Sequence, residues 1–387
     1  MTEDNTENRT AGGIGSLVDN VPKLGFGLMR LPRIDGGNDI DTEQLKEMVD
    51  LFLSKGFTYF DTAYGYEGSE AAIAEALVQR HPRESYLLAT KLPAWKAKTT
   101  ADAEQMFWTS LERTGAGYFD YYLLHNLGAD RTHTFDDFGI WDFLAKQKQS
   151  GLIRHLGFSF HDKASLLDEV LSKHPEVDFV QLQLNYADWE NPMVESRKCY
   201  ETARRHNKPI VIMEPVKGGA LTTLPDAAVA VLRKANPKAS LASWAIRFAA
   251  SLDGVITVLS GMSNMDQMRD NVSFMKDFRP LDEQEQEVIV KARIEIEKVP
   301  IVPCTSCGYC LPECPQNIAI PGIFEAMNNL LLYGNKRSCS FTYTWNTRLQ
   351  GKGVASDCIE CGACEAVCTQ HIAIIEELKR ASDMFGE

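Results

Sequence analysis

Residues 41–61 read DTEQLKEMVDLFLSKGFTYFD, a stretch that joins an amphipathic helix to a short apolar strand. Asp41 and Thr42 are residue types that cap the start of a helix, and Gly56 is suited to end one. The apolar side chains recur at helical spacing and form a single stripe, which consists of Leu45, Met48, Val49 and Phe52. Because the strand 58–61 follows at once, the stretch predicts one helix-then-strand unit that buries one face.

The same alternation of strand and helix recurs along residues 21–260. Each predicted strand is a short, nearly continuous apolar run, as expected for parallel strands that are buried on both faces. The eight runs are 24–30, 58–61, 86–91, 120–125, 154–159, 179–185, 209–214 and 255–260. Eight such units in about 240 residues are typical of a TIM (β/α)8 barrel. The alternative, an open doubly wound sheet, would carry a glycine-rich phosphate loop after its first strand, and GFGLMR lacks that pattern.

The bulk properties limit the classes of function. The chain of 387 residues is long enough for one large domain and one small domain. Its formal net charge of −13 argues against binding to nucleic acid or to an anionic membrane, because phosphate groups require clustered Lys and Arg. No apolar run approaches the roughly eighteen residues of a membrane-spanning helix. Residues 1–20 are polar and show no secretion signal, so we expect a disordered tail and a cytoplasmic protein.

A polar residue stands at the carboxyl end of each predicted strand. In chain order these residues are Arg30, Asp61, Lys91, His125, Ser159, Asn185, Glu214 and Ser260. The carboxyl ends of barrel strands meet at one rim, where TIM barrels carry their active sites. Asp61, Lys91 and His125 lie on three successive strands and form a plausible acid–base set.

Four separated motifs make residues 21–280 resemble the aldo-keto reductase family. They are FDTAYGYEGSE (60–70), ATKL (89–92), DYYLLHN (120–126) and GLIRHLGFSF (151–160). The resemblance implies a catalytic tetrad of Asp61, Tyr66, Lys91 and His125 that reduces a small carbonyl compound or oxidises the alcohol.

The resemblance also implies a role for each member of this tetrad. A carbonyl that receives hydride develops alkoxide charge, so Tyr66 would donate a proton to it. A phenol with a pKa near 10 is a weak acid unless a cation stabilises its anion, and Lys91 would be that cation, held by Asp61. His125, expected to be neutral, would orient the carbonyl oxygen.

A nicotinamide cofactor follows from the same resemblance, with NADP(H) preferred and NAD(H) as the alternative. Ser159 and Gln181 would bind the nicotinamide carboxamide, and Met213 stands where the family often has a stacking aromatic residue. The segment SGMSNMDQMRDN (260–271) resembles the one that binds the adenosine phosphates, and its matching residues are Gly261, Ser263, Gln267 and Asn271. The sequence departs from the family in having Phe160 in place of the usual Asn. It also lacks the basic pair that many NADPH-specific members use.

The cysteines indicate a second module. Nine of the ten cysteines follow residue 300, and CTSCGYCLPECP (304–315) has the spacing C-x2-C-x2-C-x3-C-P. A second run at 358–368 repeats the spacing, with Thr369 in the place of the last proline. This pattern is the signature of a ferredoxin with two 4Fe–4S clusters, in which the fourth cysteine of each run ligates the other cluster. The predicted ligands are Cys304, Cys307, Cys310 and Cys368 for cluster one, and Cys358, Cys361, Cys364 and Cys314 for cluster two. Two zinc ions with four thiolates each are the alternative.

The combination resembles a subgroup of aldo-keto reductases that carry a C-terminal 4Fe–4S ferredoxin-like domain. The opening strand GFGLMRLP (25–32) resembles that subgroup, in which Gly27 and Arg30 would face the cofactor. The predicted fold is therefore α/β, with a TIM barrel over 21–280, a linking helix over 281–300 and a small α+β ferredoxin-like domain over 301–387.

Electron counting separates two hypotheses of function. A nicotinamide transfers two electrons as hydride whereas a 4Fe–4S cluster passes one, and the sequence shows no flavin motif. The first hypothesis is a carbonyl reductase whose iron–sulfur domain is structural or transfers electrons. The second is an oxidoreductase that passes single electrons between an external carrier and the barrel site. Trp95, Asn126 and Trp189 are candidate residues of the substrate pocket.

Overall fold

The computed structural model describes residues 17–386 except 19, 38, 130, 193, 300, 303, 305–307, 309 and 369–371. Most of the predicted tail over 1–20 lies outside the described residues, as do Cys307 and Thr369. The eight predicted strands are all present. Their bounds are β1 Leu24–Gly27, β2 Tyr59–Asp61, β3 Leu87–Leu92, β4 Phe119–Leu127, β5 Ile153–Phe160, β6 Phe179–Gln183, β7 Ile210–Met213 and β8 Val255–Ser260.

The strands pair in parallel in chain order, and β8 pairs with β1, so the sheet closes into a barrel. This closure confirms the predicted TIM barrel. Three strands end sooner than predicted: β1 stops before Arg30, β6 stops before Asn185 and β7 stops before Glu214. Glu214 has a positive φ of 55°, which takes the chain out of the strand geometry.

Helices follow the strands along the chain. Those between β1 and β8 are α1 Thr42–Ser54, α2 Ser69–Ile73, α3 Thr100–Thr114, α4 Thr132–Asp137, α5 Ile140–Gln149, α6 Ala164–Lys173, α7 Ser196–Arg205, α8 Asp226–Ala235 and α9 Leu241–Ala250. After β8 come α10 Met265–Met275, α11 Glu283–Glu297, α12 Cys310–Glu313, α13 Ile320–Tyr333, α14 Lys336–Asn346, α15 Ala363–Ala366 and α16 Ile374–Phe385. Helix α2 continues as a π-helix over Ala74–Val78.

Helix α1 shows how the local sequence determines an element. The Asp41 carboxylate accepts a hydrogen bond from the backbone N–H of Gln44 at 3.0 Å and so caps the helix. The predicted stripe is fully buried, and it consists of Leu45, Met48, Val49 and Phe52. Phe52 packs against Phe26 of β1 and Phe60 of β2, with ring centroids 5.8 and 5.3 Å apart. The apolar face of α1 therefore fixes the helix against the first two strands of the barrel.

A buried carboxylate joins three segments at the amino-terminal end of the barrel. Asp120, near the start of β4, is 1% exposed and accepts hydrogen bonds from Arg83 at 2.6 Å and Arg154 at 2.8 Å. It also accepts the backbone N–H of Leu88 at 2.9 Å. Both guanidinium groups lie over the ring of Tyr118, at 3.7 and 4.2 Å from its centroid. This arrangement ties β3, β4 and β5 together at the end opposite the carboxyl-terminal rim.

The chain divides into two compact units. The first runs to Pro215 and resumes over Ala245–Leu281, and the second contains Val216–Trp244 and the residues from Asp282 onward. The segment 216–244 thus groups with the C-terminal residues, whereas the sequence placed it with the barrel. In the second unit, α13, α14 and α16 surround an apolar core that includes Phe324, Met327 and Leu378. Ile318 and Gly353 form a parallel bridge there.

The two helices predicted for the C-terminal part are both present. The helix expected over 281–300 is α11, which starts at a capping box formed by Asp282 and Glu285. The helix predicted from IPGIFEAMNNLLLYG is α13, which Gly334 ends in a left-handed conformation. Among the described residues, no helix is both long and apolar enough to cross a membrane.

We predict that Asp120→Asn lowers the free energy of unfolding by about 3 kcal/mol, because it leaves Arg83 and Arg154 without their buried carboxylate. The control is Asp136→Asn, which removes a surface pair with Lys173 and should cost under about 1 kcal/mol. Urea unfolding of both variants, followed by circular dichroism, measures the difference. Equal midpoints for the two variants would show that Asp120 does not hold the barrel.

Candidate active site

A buried ion pair lies at the carboxyl-terminal rim. Lys91, in β3, has no exposed surface, and its Nζ donates to Asp61 Oδ1 at 2.5 Å and to the carbonyl oxygen of Thr62 at 2.8 Å. Burial alone would lower the pKa of Lys91, but the charge of Asp61 and the phenol of Tyr66 raise it above its ordinary value. Lys91 is therefore a cation that the barrel keeps charged without water around it.

Tyr66 lies on the turn between β2 and α2, beside this cation. Its hydroxyl is 3.4 Å from Lys91 Nζ, and the ammonium is 4.8 Å from the ring centroid. Burial raises the pKa of Tyr66 above 10, while the charges of Lys91 and Arg30 oppose the rise. The sequence predicted that Lys91 would make the phenol more acidic. The lysine does act in that direction, but the loss of water around Tyr66 has the larger effect.

His125, in β4, faces the same space. Its ring lies edge-on to Tyr66 with centroids 5.8 Å apart, and Trp95 lies 5.4 Å away on another side. Burial, and then the positive charge of Lys91, lower the pKa of His125 well below 6.5, so the imidazole is neutral at pH 7. Its Nδ1 is buried without a hydrogen-bond partner among the described residues.

The ends of β4, β5 and β6 place amide groups close together. The backbone N–H of Asn126 donates to Ser159 Oγ at 2.7 Å, and Gln181 is the register partner of Ser159. Gln181 Nε2 contacts the sulfur of Met213 at 3.4 Å. The side-chain oxygens of Asn126 and Gln181 are buried and have no hydrogen-bond partner in the described part of the chain. Buried acceptors of this kind require a donor, and a ligand amide can supply two.

The ends of β1 and β8 form another part of the rim. Ser263 Oγ donates to the carbonyl oxygen of Arg30 at 2.9 Å, and the Ser263 N–H donates to Gln267 Oε1 at 2.8 Å. Asn271 Nδ2 donates to Ser260 Oγ at 2.7 Å. Gly27 lies beside β8, where a Cβ added to it would make an ordinary contact of 3.5 Å with the Ser260 carbonyl oxygen, and a Cβ on Gly261 would lie 3.8 Å from the Gly27 carbonyl oxygen.

Some candidate residues lie elsewhere or have a structural role. Asn185 Nδ2 donates to Asp188 at 2.9 Å and to the carbonyl oxygen of Glu214 at 3.3 Å, so it holds the loops after β6 and β7. Trp189 packs against Tyr200 and Phe248, at centroid distances of 5.7 and 5.5 Å. These contacts of Asn185 and Trp189 do not involve the tetrad, whereas Trp95 packs against His125.

The sequence did not single out Asn126 as a partner of Ser159. Its φ of 57° lies within β4, where the register with β5 shifts between Leu124 and Leu127, and this bulge directs its N–H to the serine. Asn accepts this backbone region more readily than most residues, so an Asn directly after the predicted strand 120–125 was a signal for an irregularity at this position. Arg131 fixes the bulge, because its Nε donates to the Asn126 carbonyl oxygen at 3.1 Å.

The four cysteines predicted for cluster two line a single cavity, namely Cys314, Cys358, Cys361 and Cys364. Burial, together with the neighbouring Cys314 and Cys358 sulfurs, raises the pKa of Cys364 to about 11. Among the described residues no group of His, Cys, Asp or Glu side chains is arranged around a single metal ion. The cavity thus brings together the four cysteines that the sequence assigned to one cluster.

The remaining cysteines differ in their surroundings. Of the set predicted for cluster one, Cys304, Cys310 and Cys368 are described, and all three belong to or pack against the core of the second unit. Cys199 and Cys339 are buried, and burial raises the pKa of the Cys199 thiol to about 12. These last two cysteines lie outside the cavity of cluster two.

Comparison with known proteins identifies both parts of the chain. The model of the "Aldo/keto reductase family" matches residues 23–294, and that of the "4Fe-4S dicluster domain" matches residues 303–373. An aldo-keto reductase of Mycobacterium sp. (strain MCS) is 28% identical over 286 residues, which are 71% of this chain and 89% of that protein. One from Mycolicibacterium vanbaalenii is 27% identical over 273 residues, covering 68% of this chain and 87% of the relative.

Solved structures show the same fold. A holo-form aldo-keto reductase from Bacillus halodurans aligns with a TM-score of 0.56 and 26% identity, over 70% of this chain and 92% of that one. An aldo-keto reductase from Klebsiella pneumoniae in complex with NADPH aligns with a TM-score of 0.55 and 20% identity, over 70% and 90% of the two chains. Because the family model extends from just before β1 into α11, more than half of the sequence, the chain belongs to the aldo/keto reductase family, and it carries a 4Fe–4S dicluster domain after the barrel.

Proposed function

We propose that the protein reduces a small aldehyde or ketone with a nicotinamide cofactor, and that Tyr66 donates the proton. The observation that carries the proposal is the shared ammonium of Lys91, which binds the Asp61 carboxylate at 2.5 Å and approaches the Tyr66 hydroxyl at 3.4 Å. Burial of a charged lysine lowers the stability of the fold, and the stability of the barrel does not require this lysine to face a phenol. In a reductase it stabilises the phenolate as the proton leaves.

Tyr66 and His125 have different roles at the substrate oxygen: Tyr66 donates the proton and His125 donates an orienting hydrogen bond. Because the pKa of Tyr66 is raised, the phenol is fully protonated at neutral pH and can act as the acid. Because the pKa of His125 is lowered, its neutral ring can donate one N–H to the carbonyl oxygen without competing for the proton. Lys91 remains charged throughout and offsets the negative charge that develops on Tyr66.

The residues present fit a nicotinamide. When bound in its reduced form, this cofactor supplies a hydride to the carbonyl carbon. Ser159 Oγ accepts the Asn126 N–H, which leaves the serine proton free for the carboxamide oxygen. The carboxamide NH2 group would satisfy the buried oxygens of Gln181 and Asn126. Asn126 would thus take the place of the amide that is missing at Phe160.

NADP(H) is the preferred cofactor, and NAD(H) is the alternative. The Klebsiella relative binds NADPH, which supports the nucleotide class. Asn264 caps helix α10, because its side chain accepts the Gln267 N–H at 2.9 Å, and the start of a helix favours phosphate groups. Ser263, Gln267 and the exposed Arg30 border that helix start and are proposed contacts for the adenosine phosphates.

The substrate pocket adjoins the aromatic side of His125. Trp95 packs between His125 and Phe135, and the guanidinium of Arg131 lies 5.8 Å from its ring centroid. An apolar wall with a cation at its edge suits a carbonyl compound that has apolar bulk and one polar substituent. We propose a cytoplasmic location for this reaction.

A second role concerns the dicluster domain. Its clusters supply one-electron transfer. Cys361 is exposed whereas Cys364 is buried, so one edge of the cavity for cluster two reaches the surface. This exposure favours an electron-transferring domain over a purely structural one, and an external carrier is the proposed partner.

We predict that Tyr66→Phe lowers kcat for carbonyl reduction by about 10²–10⁴-fold, because the proton donor is lost while the ring remains. The dissociation constant for NADPH should not change. The matched control is Tyr64→Phe, two residues away. The ring of Tyr64 lies against the guanidinium of Arg113, whereas that of Tyr66 lies against the ammonium of Lys91. Single-turnover kinetics on a panel of aldehydes and ketones test this. A Tyr66→Phe enzyme as fast as the control would rule out Tyr66 as the acid.

The two shifted pKa values predict an unusually flat pH profile. Reduction requires protonated Tyr66 and neutral His125. The raised pKa of Tyr66 keeps the phenol protonated through neutral and mildly alkaline pH, and the lowered pKa of His125 keeps the imidazole neutral at neutral pH. We therefore expect kcat, measured with saturating cofactor and substrate, to be constant from about pH 7 to about pH 9. An ionisation near pH 8 in that profile would contradict the assignment of the two groups.

We predict that Asn126→Gly raises the dissociation constant for NADPH about tenfold, since losing a partner for a buried amide costs about 1–2 kcal/mol. Glycine accepts the φ of 57° and keeps the N–H that binds Ser159. Asn207→Gly is the control, because Asn207 has a φ of 56° on the surface. A second readout is the acetylpyridine analogue of NADP, which lacks the NH2 group and should bind both variants equally. Equal loss of NADPH and analogue binding would refute the contact.

A further inference from the structure

Helix α14, Lys336–Asn346, presents a row of apolar side chains to solvent. Phe341 is 64% exposed and Trp345 is 51% exposed, and their rings stack with centroids 6.2 Å apart. Leu349, in the 3₁₀ turn that follows, is 60% exposed. Large apolar groups that lie together on a surface mark sites of interaction, and aromatic residues are enriched in protein interfaces.

Cations flank this row. The segment 336–352 contains no Asp or Glu, although the chain has 53 acidic and 40 basic residues. Its cations are all exposed, and they are Lys336, Arg337, Arg348 and Lys352. We call the surface formed by these cations and the apolar row the α14 face. A local excess of positive charge on an otherwise acidic protein attracts an acidic partner and orients its approach.

The α14 face is tied to the segments that supply the cysteines of cluster two. The hydroxyl of Tyr343, on the buried side of α14, accepts the backbone N–H of Ala355 at 2.8 Å, three residues before Cys358. Gly353, just after the last cation, pairs with Ile318, four residues after Cys314. Gly353 cannot carry a side chain, because a Cβ there would lie 2.5 Å from the Gln316 carbonyl oxygen. The face and the cysteine cavity are therefore held in one packed unit.

We propose that the α14 face docks a small, acidic one-electron carrier protein of the ferredoxin or flavodoxin kind. The proposal rests on the electron-transfer role given above to the dicluster domain. An acidic carrier matches the cations, and its contact with Phe341 and Trp345 excludes water at the centre. Interfaces of electron-transfer partners are small, under about 1,200 Å², which suits one short helix and the turn after it.

Other occupants match the surface less well. Nucleic acid would meet the repulsion of a chain with a net charge of −13 as soon as it extended beyond the face. A membrane-bound helix buries a continuous apolar stripe, whereas α14 buries Cys339 and Tyr343 and leaves only two large apolar side chains exposed, Phe341 and Trp345. In the docked complex one electron moves from the reduced carrier to the cluster. The carrier is oxidised by one electron, the cluster is reduced by one, and no bond or proton changes.

Binding can be measured without any turnover. The full-length, cluster-loaded protein is titrated by calorimetry with three oxidised probes: a flavodoxin, an acidic plant-type ferredoxin and a basic cytochrome c. At least one acidic probe should bind, and its affinity should fall about tenfold or more between roughly 50 and 300 mM salt, because charge drives the encounter. The net charge of −13 can attract cytochrome c to other parts of the surface, so any binding of cytochrome c should be unaffected by substitutions in the α14 face. Absence of binding by both acidic probes at low salt would overturn the proposal.

Two variants locate the surface. Lys336→Glu/Arg337→Glu reverses charge, and Phe341→Ser/Trp345→Ser removes the apolar centre; each should weaken the acidic probe about tenfold. The controls are Lys276→Glu and Trp108→Ser, which make the same kinds of change at exposed residues of the barrel. Carbonyl reduction should be normal in all four, so failed docking is distinguishable from a failed reductase assignment.

Three further outcomes would assign the α14 face to something else and overturn the proposal. One is undiminished carrier binding by both face variants. Another is a sedimentation coefficient of the protein alone that rises with its concentration and no longer does so in the face variants, which would indicate self-association through the face. The third is binding of an oligo(dT) strand or of phosphatidylserine vesicles that is lost in the face variants and kept in the controls.

Discussion

Closure of the barrel is the constraint on which the rest of the structure depends. Once β8 pairs with β1, every strand has two neighbours and no backbone edge is left open. Parallel pairing also brings all the carboxyl ends to one rim, so Asp61 and Lys91, thirty residues apart in sequence, meet as a buried pair. The ammonium of Lys91 is buried away from water, and its pairing with the Asp61 carboxylate offsets the free-energy cost of that burial.

Burial then determines the charge state of the neighbouring groups. Removing water disfavours an anion on Tyr66 and a cation on His125, so both stay neutral near pH 7, although their pKa values move in opposite directions. The same environment that disfavours a charge on Lys91 therefore keeps the Tyr66 phenol protonated and the His125 imidazole uncharged. One low-dielectric pocket acts on all three groups.

The sequence predicted what depends on local pattern. The stripe of α1, the eight strands and the placement of Asp61, Lys91 and His125 near strand ends follow from periodicity and spacing, whereas Tyr66 came from the resemblance to a family. The sequence could not predict quantities that arise only after folding. The net direction of the Tyr66 pKa is a balance between burial and charge, and the bulge at Asn126 depends on a φ that Arg131 and Ser159 help to fix. The grouping of 216–244 with the C-terminal residues is a long-range packing outcome with no local signal.

Asp120 and its two arginine partners, Arg83 and Arg154, lie at the end of the barrel opposite Lys91, Tyr66 and His125. The residues that hold the strands together and the residues of the proposed active site are thus separate sets. A substitution in a rim loop leaves the contacts of Asp120 intact, and a substitution of Arg83 or Arg154 changes the free energy of unfolding without removing a group of the proposed active site. Such a division widens the range of substrates that descendants of this barrel can explore while each intermediate still folds.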